Sequence, residues 1–492
     1  MTEDNSARTV LIAGGGPTGL LLAAELRRAG IDAVVLERRT ERVEHSRGMA
    51  MHGRTLQVLE ERGLAATLRE QGLFPWPRTP FGFLWLDLDA VGPEEFTYGF
   101  PQWRTEVALE AHAETLGVDI RRGHELLGLT QDATGVTARV RDGAGGEPYE
   151  LRAAYLVGCD GVDSLVRKAV GISLEDHQPS HYYGVLGDIE IAEGEPVDFD
   201  AGLHADGVFG VIPLGPNVLR LMTIEFAEPP DADRASEVTV AELRASVARI
   251  VGKEPDVEQA QFLARFGGPS TVAERYREGR VLLAGDAAHS LFVSGTQGLN
   301  AGVQDAVNLG WKLAAEIRGW APEGLLDSYQ EERRSAAARA VAHARAQMAL
   351  MHPLETVTPL RELVEELFRF QDVNRHLLTM TAQTGYPAGD GKNPLTGQHL
   401  PHVTLRTAEG ERNTAELLGT GRGLLLSLGD GAGPATALDG WEDRVDGVTA
   451  DATDDLPAAA VLVRPDGQVA FAGDADDEAL RAALTTWFGT PR

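Results

Sequence analysis

The chain has 492 residues, one cysteine, 13 histidines and a formal net charge of −29. That charge excludes the concentrated basic surface a nucleic-acid partner needs. The single cysteine, Cys159, excludes an internal disulfide and a cysteine-based metal cluster, and the length calls for about two to four structural units.

Hydrophobic residues make up 43% and charged residues 24%, the balance of a globular protein. No run approaches the roughly 20 apolar residues of a membrane span. The start Met1-Thr-Glu-Asp-Asn-Ser6 is acidic and lacks an apolar signal core, so a cytoplasmic protein is expected. The histidines read as scattered, with no HExxH or close paired spacing, and no metal is expected.

Residues 9–13 are apolar and β-rich, glycines follow at once, and Leu20–Ala29 carries helical periodicity ending at Gly30. Ala33–Leu36 reads as a second buried strand closing on Glu37, which completes a βαβ unit. Leu56–Arg69 and Thr105–Leu116 have helical spacing. Residues 125–155 alternate as a β-meander, and the strand Ala154–Val157 runs into Gly158-Cys-Asp-Gly161.

From about 175 to 270 the pattern changes to strands (Tyr183–Ile191, Gly207–Pro213, Val218–Phe226), a helix over 239–251 and a strand around Gln261–Phe266, an α+β unit on an antiparallel sheet. The apolar strand of Val281-Leu-Leu-Ala-Gly-Asp-Ala-Ala-His289 then meets a Gly-Asp turn. Gly295-Thr-Gln-Gly-Leu-Asn300 opens a long amphipathic helix, and helices continue to about 385. Pro387–Pro401 reads as a linker. Strands at Gly423–Leu428 and Ala459–Val463, a turn at Arg464–Gly467 and a helix over Asp477–Trp487 predict a small α/β domain.

Gly14-x-Gly16-x-x-Gly19 sits between a strand and a helix, with an acid about 20 residues on, the context of a dinucleotide-binding turn. Gly14 permits the tight turn, Gly16 the approach of backbone to a pyrophosphate, Gly19 close helix packing, and Glu37 binds ribose hydroxyls. Asp160 and Asp286 each end an apolar strand, where a carboxylate reaches ribose or ribityl hydroxyls. A purely NAD-binding protein has no need of both, so the set points to FAD. There is no second glycine fingerprint for a nicotinamide, which fits a reductant that binds only transiently.

Val10–Arg38, Ser46–Gly63 with Arg47 and Arg54, Pro101–Glu106, Val157–Arg167 and Val281–Trp320 together resemble the class A flavoprotein monooxygenases. That group includes p-hydroxybenzoate hydroxylase, phenol hydroxylase and the aromatic polyketide hydroxylases. The C-terminal part, down to Val461–Gly467, is similar to the thioredoxin-like extension of the polyketide and phenol hydroxylases, without a redox cysteine.

The implied fold is α/β: a Rossmann-like, p-hydroxybenzoate hydroxylase-like FAD-binding domain (1–174 and 268–386), an inserted α+β substrate-binding domain (175–267) and a C-terminal thioredoxin-like domain (393–492). The implied cofactor contacts begin with Gly14, Gly16, Pro17, Thr18 and Gly19 at the phosphates and Glu37 and Arg38 at the adenosine. Arg47 and Gln102 follow at the diphosphate and ribityl region, then Asp160 between FAD and nicotinamide, and Asp286 at the linkage. Gly295, Gly298, Leu299 and Asn300 face the isoalloxazine. Arg47, Val293 and Gly298 form the catalytic environment.

The implied activity is an NADPH- or NADH-consuming monooxygenation, in which one atom of O₂ passes through a flavin C4a-hydroperoxide to a phenolic or polycyclic aromatic polyketide-type substrate, in a monomer or homodimer. Trp103, Tyr183, Phe209, Phe226 and Phe292 are expected to line the substrate pocket, with His181 and Tyr182. His289 is expected to pack beneath the flavin loop, and Cys159 to be a small buried hydrophobe.

One departure bears on the reaction. Relatives place one or two prolines between the histidine and the glycine turn, where this chain has Ser290-Leu-Phe-Val-Ser294. Baeyer–Villiger oxygenation, modification of an antibiotic, and a flavin-binding biosynthetic partner without oxygenase activity therefore stand beside ring hydroxylation.

Overall fold

The apolar run Thr9–Ala13 (β1) leads through the helix Pro17–Arg28 (α1) to Asp32–Glu37 (β2). The chain returns through Gln102–Thr115 (α2) to Asp119–Arg122 (β3), and later adds Tyr155–Gly158 (β4), Arg277–Glu278 (β5) and Val281–Leu283 (β6) to one sheet. The strand order is β5-β6-β4-β1-β2-β3, parallel throughout except for the β5–β6 pair. The computed structural model describes residues 9–88, 91–143, 145–176, 182–191, 199–215, 217–227, 236–292, 296–382, 393–429, 437–474 and 478–492.

Parallel register determines where the chemistry collects. Ala13 pairs with Leu36 on one side and Gly158 on the other, and Gly158 pairs with Leu283. The turns after β1, β2, β4 and β6 therefore emerge at one carboxyl edge, around the point where the strand order reverses, the usual ligand crevice of an open α/β sheet. Helices Gln297–Ile317 (α3) and Asp327–Ala349 (α4) follow. Helix α1 is apolar nearly all round because it packs between the sheet and α3, with Leu20, Leu21, Leu22 and Leu26 fully buried.

The predicted helix over Leu56–Arg69 is two, Gly53–Glu61 and Ala65–Glu70, broken at Gly63, whose φ of 75° ends a helix at no steric cost. The meander is His124–Gln131, Val136–Asp142 and Tyr149–Ala153.

A five-stranded antiparallel sheet occupies the middle of the chain, in the order Gly202–Leu203, Gly207–Gly215, Val218–Glu225, Tyr183–Glu190, Phe262–Gly267. The helix Val240–Val251, capped by Thr239 and ended by Gly252, covers one face. Tyr183, Val185, Ile189, Phe209, Leu219 and Leu221 form a core there with Leu243, Val247 and Ile250. The other face, carrying Val208, Met222, Ile224 and Phe266, packs on Phe292 and on Ala344, Met348 and Met351 at the end of α4.

The last domain is a six-stranded sheet that begins at one edge with Gly410–Asn413 and Thr404–Thr407 and continues Val445–Ala450, Gly423–Leu428, Ala460–Val463, Val469–Gly473. From Val445–Ala450 onward one parallel step is followed by two antiparallel ones, and the helix Glu478–Phe488 closes the chain, a thioredoxin-like arrangement. The edge hairpin Thr404–Thr407/Gly410–Asn413 was not anticipated from the sequence. The predicted linker 387–401 lies outside the described residues as far as 392; beyond that His399 bridges to Gln468 in the domain.

A buried ionic knot joins this domain to the first. Glu332 of α4 accepts from Lys312 of α3 (2.7 Å), from Asn308 (2.7 Å) and from Arg464 (2.8 and 3.0 Å), and Arg464 lies 4.2 Å from the ring centre of Trp487. Lys312 is fully buried, and burial lowers its pKa to about 8 despite the charge of Glu332.

Candidate functional site

Gly14 takes φ 109° and donates to Leu36 (2.8 Å); a Cβ there would run into the carbonyl of Cys159. A Cβ on Gly19 would meet the carbonyl of Gly14, so both glycines are required for α1 to sit this close. Gly16 is the N-cap of α1, with open space where its side chain would be, and Pro17 begins the helix. The first turn of α1 carries no acidic residue, so its free N–H groups face that space unopposed. Thr18 packs against Gly285 and Gly302. Glu37 accepts from Gly15 (2.8 Å) and Arg39 (2.9 Å), which fixes its half-buried carboxylate beside the glycine turn, with Arg38 exposed next to it.

At the end of β4, Asp160 accepts from Val166 through Oδ2 (3.0 Å), while its Oδ1 is buried without a protein partner. Cys159 is partly buried, and burial pushes its thiol well above the usual range, consistent with an inert packing role. Arg167 links this turn to the next by donating to the carbonyl of Ala287 (3.0 Å).

Asp286 stands exposed to solvent in the 3₁₀ turn Gly285–Ala287 after β6, with protein surrounding its carboxylate on the other sides. That enclosure raises its pKa; the charges of His289 and Arg47 oppose the shift and Asp305 reinforces it. Its Oδ1 faces Gly298, near the start of α3.

The first residues of α3, Gln297, Gly298 and Leu299, have N–H groups with no partner inside the helix. Asn300 differs, because its side chain accepts from the backbone N–H of His52 (2.8 Å) and donates to the carbonyl of Thr296 (2.7 Å). Thr296 caps the helix in the left-handed region (φ 54°), and its hydroxyl meets His52 Nε2 at 2.9 Å. Val293 and Gly295 lie outside the described residues, as does His181.

Arg47 is exposed and donates to the carbonyl of Arg265 (3.4 Å) on the inserted sheet. Its own carbonyl accepts from Arg220 (3.0 Å), whose guanidinium also grips Asp188 (2.7 and 2.8 Å). His45 stacks on Phe262 at 5.2 Å. This clamp on the 45–48 loop went unread in the sequence, since nothing local marks Asp188 and Arg220 as partners. Gln102 lies against Gly48, and its side chain donates to Glu106 (2.8 Å). Trp103 donates to Ser46 through its backbone and stacks beside Arg104, which places it with this loop.

Of the aromatics expected at the substrate, Phe226 follows the strand Val218–Glu225 on the face of the inserted sheet that looks toward the first domain, and Phe292, after His289–Ser290 of the first domain, packs against that face. Phe292 meets Tyr182 edge-on at 4.7 Å, and Phe226 lies 4.7 Å from His352. Tyr183 and Phe209 are a correction. They are 2% and 1% exposed in the core beneath Val240–Val251, with the Tyr183 hydroxyl bonded to Glu242. Side chains alternate along a strand, so Tyr182 and Tyr183 cannot share a face.

The sequence reading also missed Asp305, the hub beneath the site. It is fully buried on α3 and accepts from Gly285 (2.9 Å) and Arg333 (2.7 Å), with His289 Nε2 at 2.7 Å. Burial would raise Asp305, but the charges and hydrogen bonds of His289 and Arg333 hold it at about 2. His289 is thus a buried support. The only sequence signal was an acid in an otherwise apolar helical stretch.

These features fit FAD as a group: a glycine cradle with open space at a helix start, a buried Asp160 oxygen unsatisfied by protein, and an exposed Asp286 opposite a second helix start.

The family described as FAD binding domain matches residues 7–344, and that described as Aromatic-ring hydroxylase, C-terminal, matches residues 393–491. The chain is 45% identical over 485 residues to the dialkyldecalin synthase of Streptomyces rugosporus (98% of this chain, 99% of the relative). It is 41% identical over 506 residues to the anhydrotetracycline monooxygenase of Streptomyces rimosus (98% and 99%). The solved anhydrotetracycline hydroxylase from Streptomyces rimosus superposes with a TM-score of 0.90 at 38% identity, covering 98% of this chain and 99% of that one.

Proposed function

The chain belongs to the FAD-dependent monooxygenases of the aromatic-ring hydroxylase type, and on that premise we propose that it inserts one oxygen atom of O₂ into a phenolic or polycyclic aromatic substrate of polyketide type at the expense of NAD(P)H. When bound, FAD supplies hydride acceptance and the activation of O₂. The reading assigns 1–174 with 268–386 to the cofactor, 175–267 to the substrate and 393–492 to the thioredoxin-like domain.

The observation that carries it is the juxtaposition of Asp286 and the start of α3 with Arg47, whose loop is clamped to the inserted sheet. The turn Gly14–Gly19 holds phosphate and Glu37 the adenosine ribose, while Asp160 and Asp286 take polyol hydroxyls. The N–H groups of Gln297, Gly298 and Leu299 favour negative charge beside them. Tyr182, Met222, Phe226, Phe266 and Phe292 make an apolar wall that orients a flat substrate and excludes water. NAD(P)H oxidation should rise with a polycyclic phenol, and the product should gain one heavy atom from isotopically labelled O₂. A product without label rejects the reading.

A second reading has its own support. A relative 45% identical over nearly the whole chain is named a synthase, and the segment after His289 lacks the expected prolines. Under it the protein binds FAD as a structural element and shapes an apolar substrate without oxygenating it. A product isomeric with its substrate, formed without NAD(P)H or O₂, selects this reading.

A further inference from the structure

Away from the flavin cleft, three metal-ligating side chains converge where the C-terminal domain meets the helix Gly53–Glu61. The Oε1 atom of Glu61 lies 3.1 Å from His399 Nε2, outside hydrogen-bond geometry, and 3.2 Å from His402 Nε2, with which it shares a hydrogen bond. These three atoms lie within 4.8 Å of one another. Glu61 and His399 are buried, 2% and 6% exposed, and His402 is 13% exposed along its side chain. The His399-x-x-His402 pair corrects the reading of the histidines as scattered; its carboxylate partner lies more than 300 residues upstream, so no local run of residues marks the three as a set.

His399 carries the argument. Its Nδ1 is 3.1 Å from the carbonyl of Leu400, a contact only an N–H can make, so in the neutral ring Nε2 bears a lone pair. That buried Nε2 has no hydrogen-bond partner although Glu61 Oε1 is 3.1 Å away, so it does not point along the line to the oxygen. A lone pair aimed beside a carboxylate oxygen is unfavourable as it stands. It becomes the expected geometry when both atoms bind one ion, since tetrahedral ligands point at the metal and not at each other.

The surroundings hold the ligands in place. Nδ1–H bonded to a backbone carbonyl is the usual orientation of a metal-binding histidine. Gly467, at φ 80°, leaves the room that the His399 ring occupies. The other oxygen of Glu61 is paired with Arg62, itself held by Glu25 (2.8 Å), and Glu25 also pairs with Arg28. Glu60 lies 3.6 Å from His402 Nδ1 and pairs with Arg69 (3.5 Å), so the three carboxylates and three guanidiniums of this cluster balance.

We propose that Glu61, His399 and His402 form a binding site for a divalent transition cation of the zinc type, with water as the fourth ligand, that staples the C-terminal domain to the FAD-binding domain. Two imidazoles and a carboxylate select zinc-like ions over magnesium or calcium.

The test uses the untagged, FAD-loaded full chain, equilibrated with zinc, dialysed against metal-free buffer and analysed for metal. One zinc per chain is expected, with a rise of a few degrees in the unfolding midpoint under excess zinc. Both should be lost in His402→Ala and Glu61→Gln, while flavin content stays unchanged. Zinc X-ray absorption of the unaltered chain should contain two imidazoles at about 2.0–2.1 Å, a readout that stands even if Glu61→Gln misfolds. Failure of the unaltered chain to retain zinc, or zinc retained undiminished by His402→Ala, overturns the proposal. Neither outcome bears on oxygenation, so the two proposals fail separately.

Discussion

Two carboxylates in this protein, Asp286 and Asp305, stand 19 positions apart and are pushed in opposite directions by their surroundings. Burial raises Asp286, which has no guanidinium bonded to it; Asp305 is held at about 2 by His289 and Arg333. The first is therefore available to a ligand and the second is committed to the fold. Asp286→Ala should lose FAD on gel filtration while keeping its unfolding midpoint to within about 1 kcal/mol, as a substitution outside the packed core does. His289→Ala should instead cost roughly 3 kcal/mol, because it breaks one arm of a buried charged cluster. Equilibrium unfolding with flavin absorbance read in parallel separates the two. Equal loss of stability would remove the distinction.

The strand Val218–Glu225 sets function through its two faces. Leu221 is fully buried against the helix Val240–Val251, whereas Met222 is partly exposed among the apolar side chains near Phe292. Leu221→Arg should unfold the inserted domain, with a cost of more than about 3 kcal/mol for an unpaired buried charge. Met222→Arg should leave the fold standing and raise the KM for an aromatic substrate at least several-fold, with FAD content unaltered. Circular dichroism and steady-state kinetics on the pair check this. A normal KM for the second variant would place the substrate elsewhere. The alternation itself was readable from the sequence; which face looks toward the cofactor was not, because a period of two assigns residues to faces without naming what each face meets.

The whole molecule is held by the knot around Glu332. Burial would raise its carboxyl, but Arg464 and Lys312 together hold it at about 2 against an ordinary 4.5. The folded form thus binds fewer protons than the unfolded chain below about pH 4.5. Its contribution, of order 3 kcal/mol, is present above that pH and is lost as pH falls toward 2. Unfolding midpoints measured from pH 6 down to pH 3 should drop in the unaltered chain. Arg464→Leu should begin lower and fall less steeply with acid; an unchanged slope would mean the knot does not link the domains. Among the described residues no helix is long and apolar enough to cross a membrane.

The amino-acid sequence by itself determined the cofactor and the class of fold. The glycine turn, the acid ending β2 and the Gly-Asp turns ending β4 and β6 are local signals, and parallel pairing necessarily brings them to one edge. It also held the thioredoxin-like strands Gly423–Leu428 and Ala460–Val463 as plain apolar runs. Only the tertiary structure decided what joins distant segments: Asp305 with His289 and Arg333, Asp188 with Arg220 and the Arg47 loop, Glu332 with Arg464, and Glu61 with His399 and His402. Each is a pairing of charged or polar groups whose worth depends on burial and on a partner far along the chain, and neither quantity is written in any local run of residues.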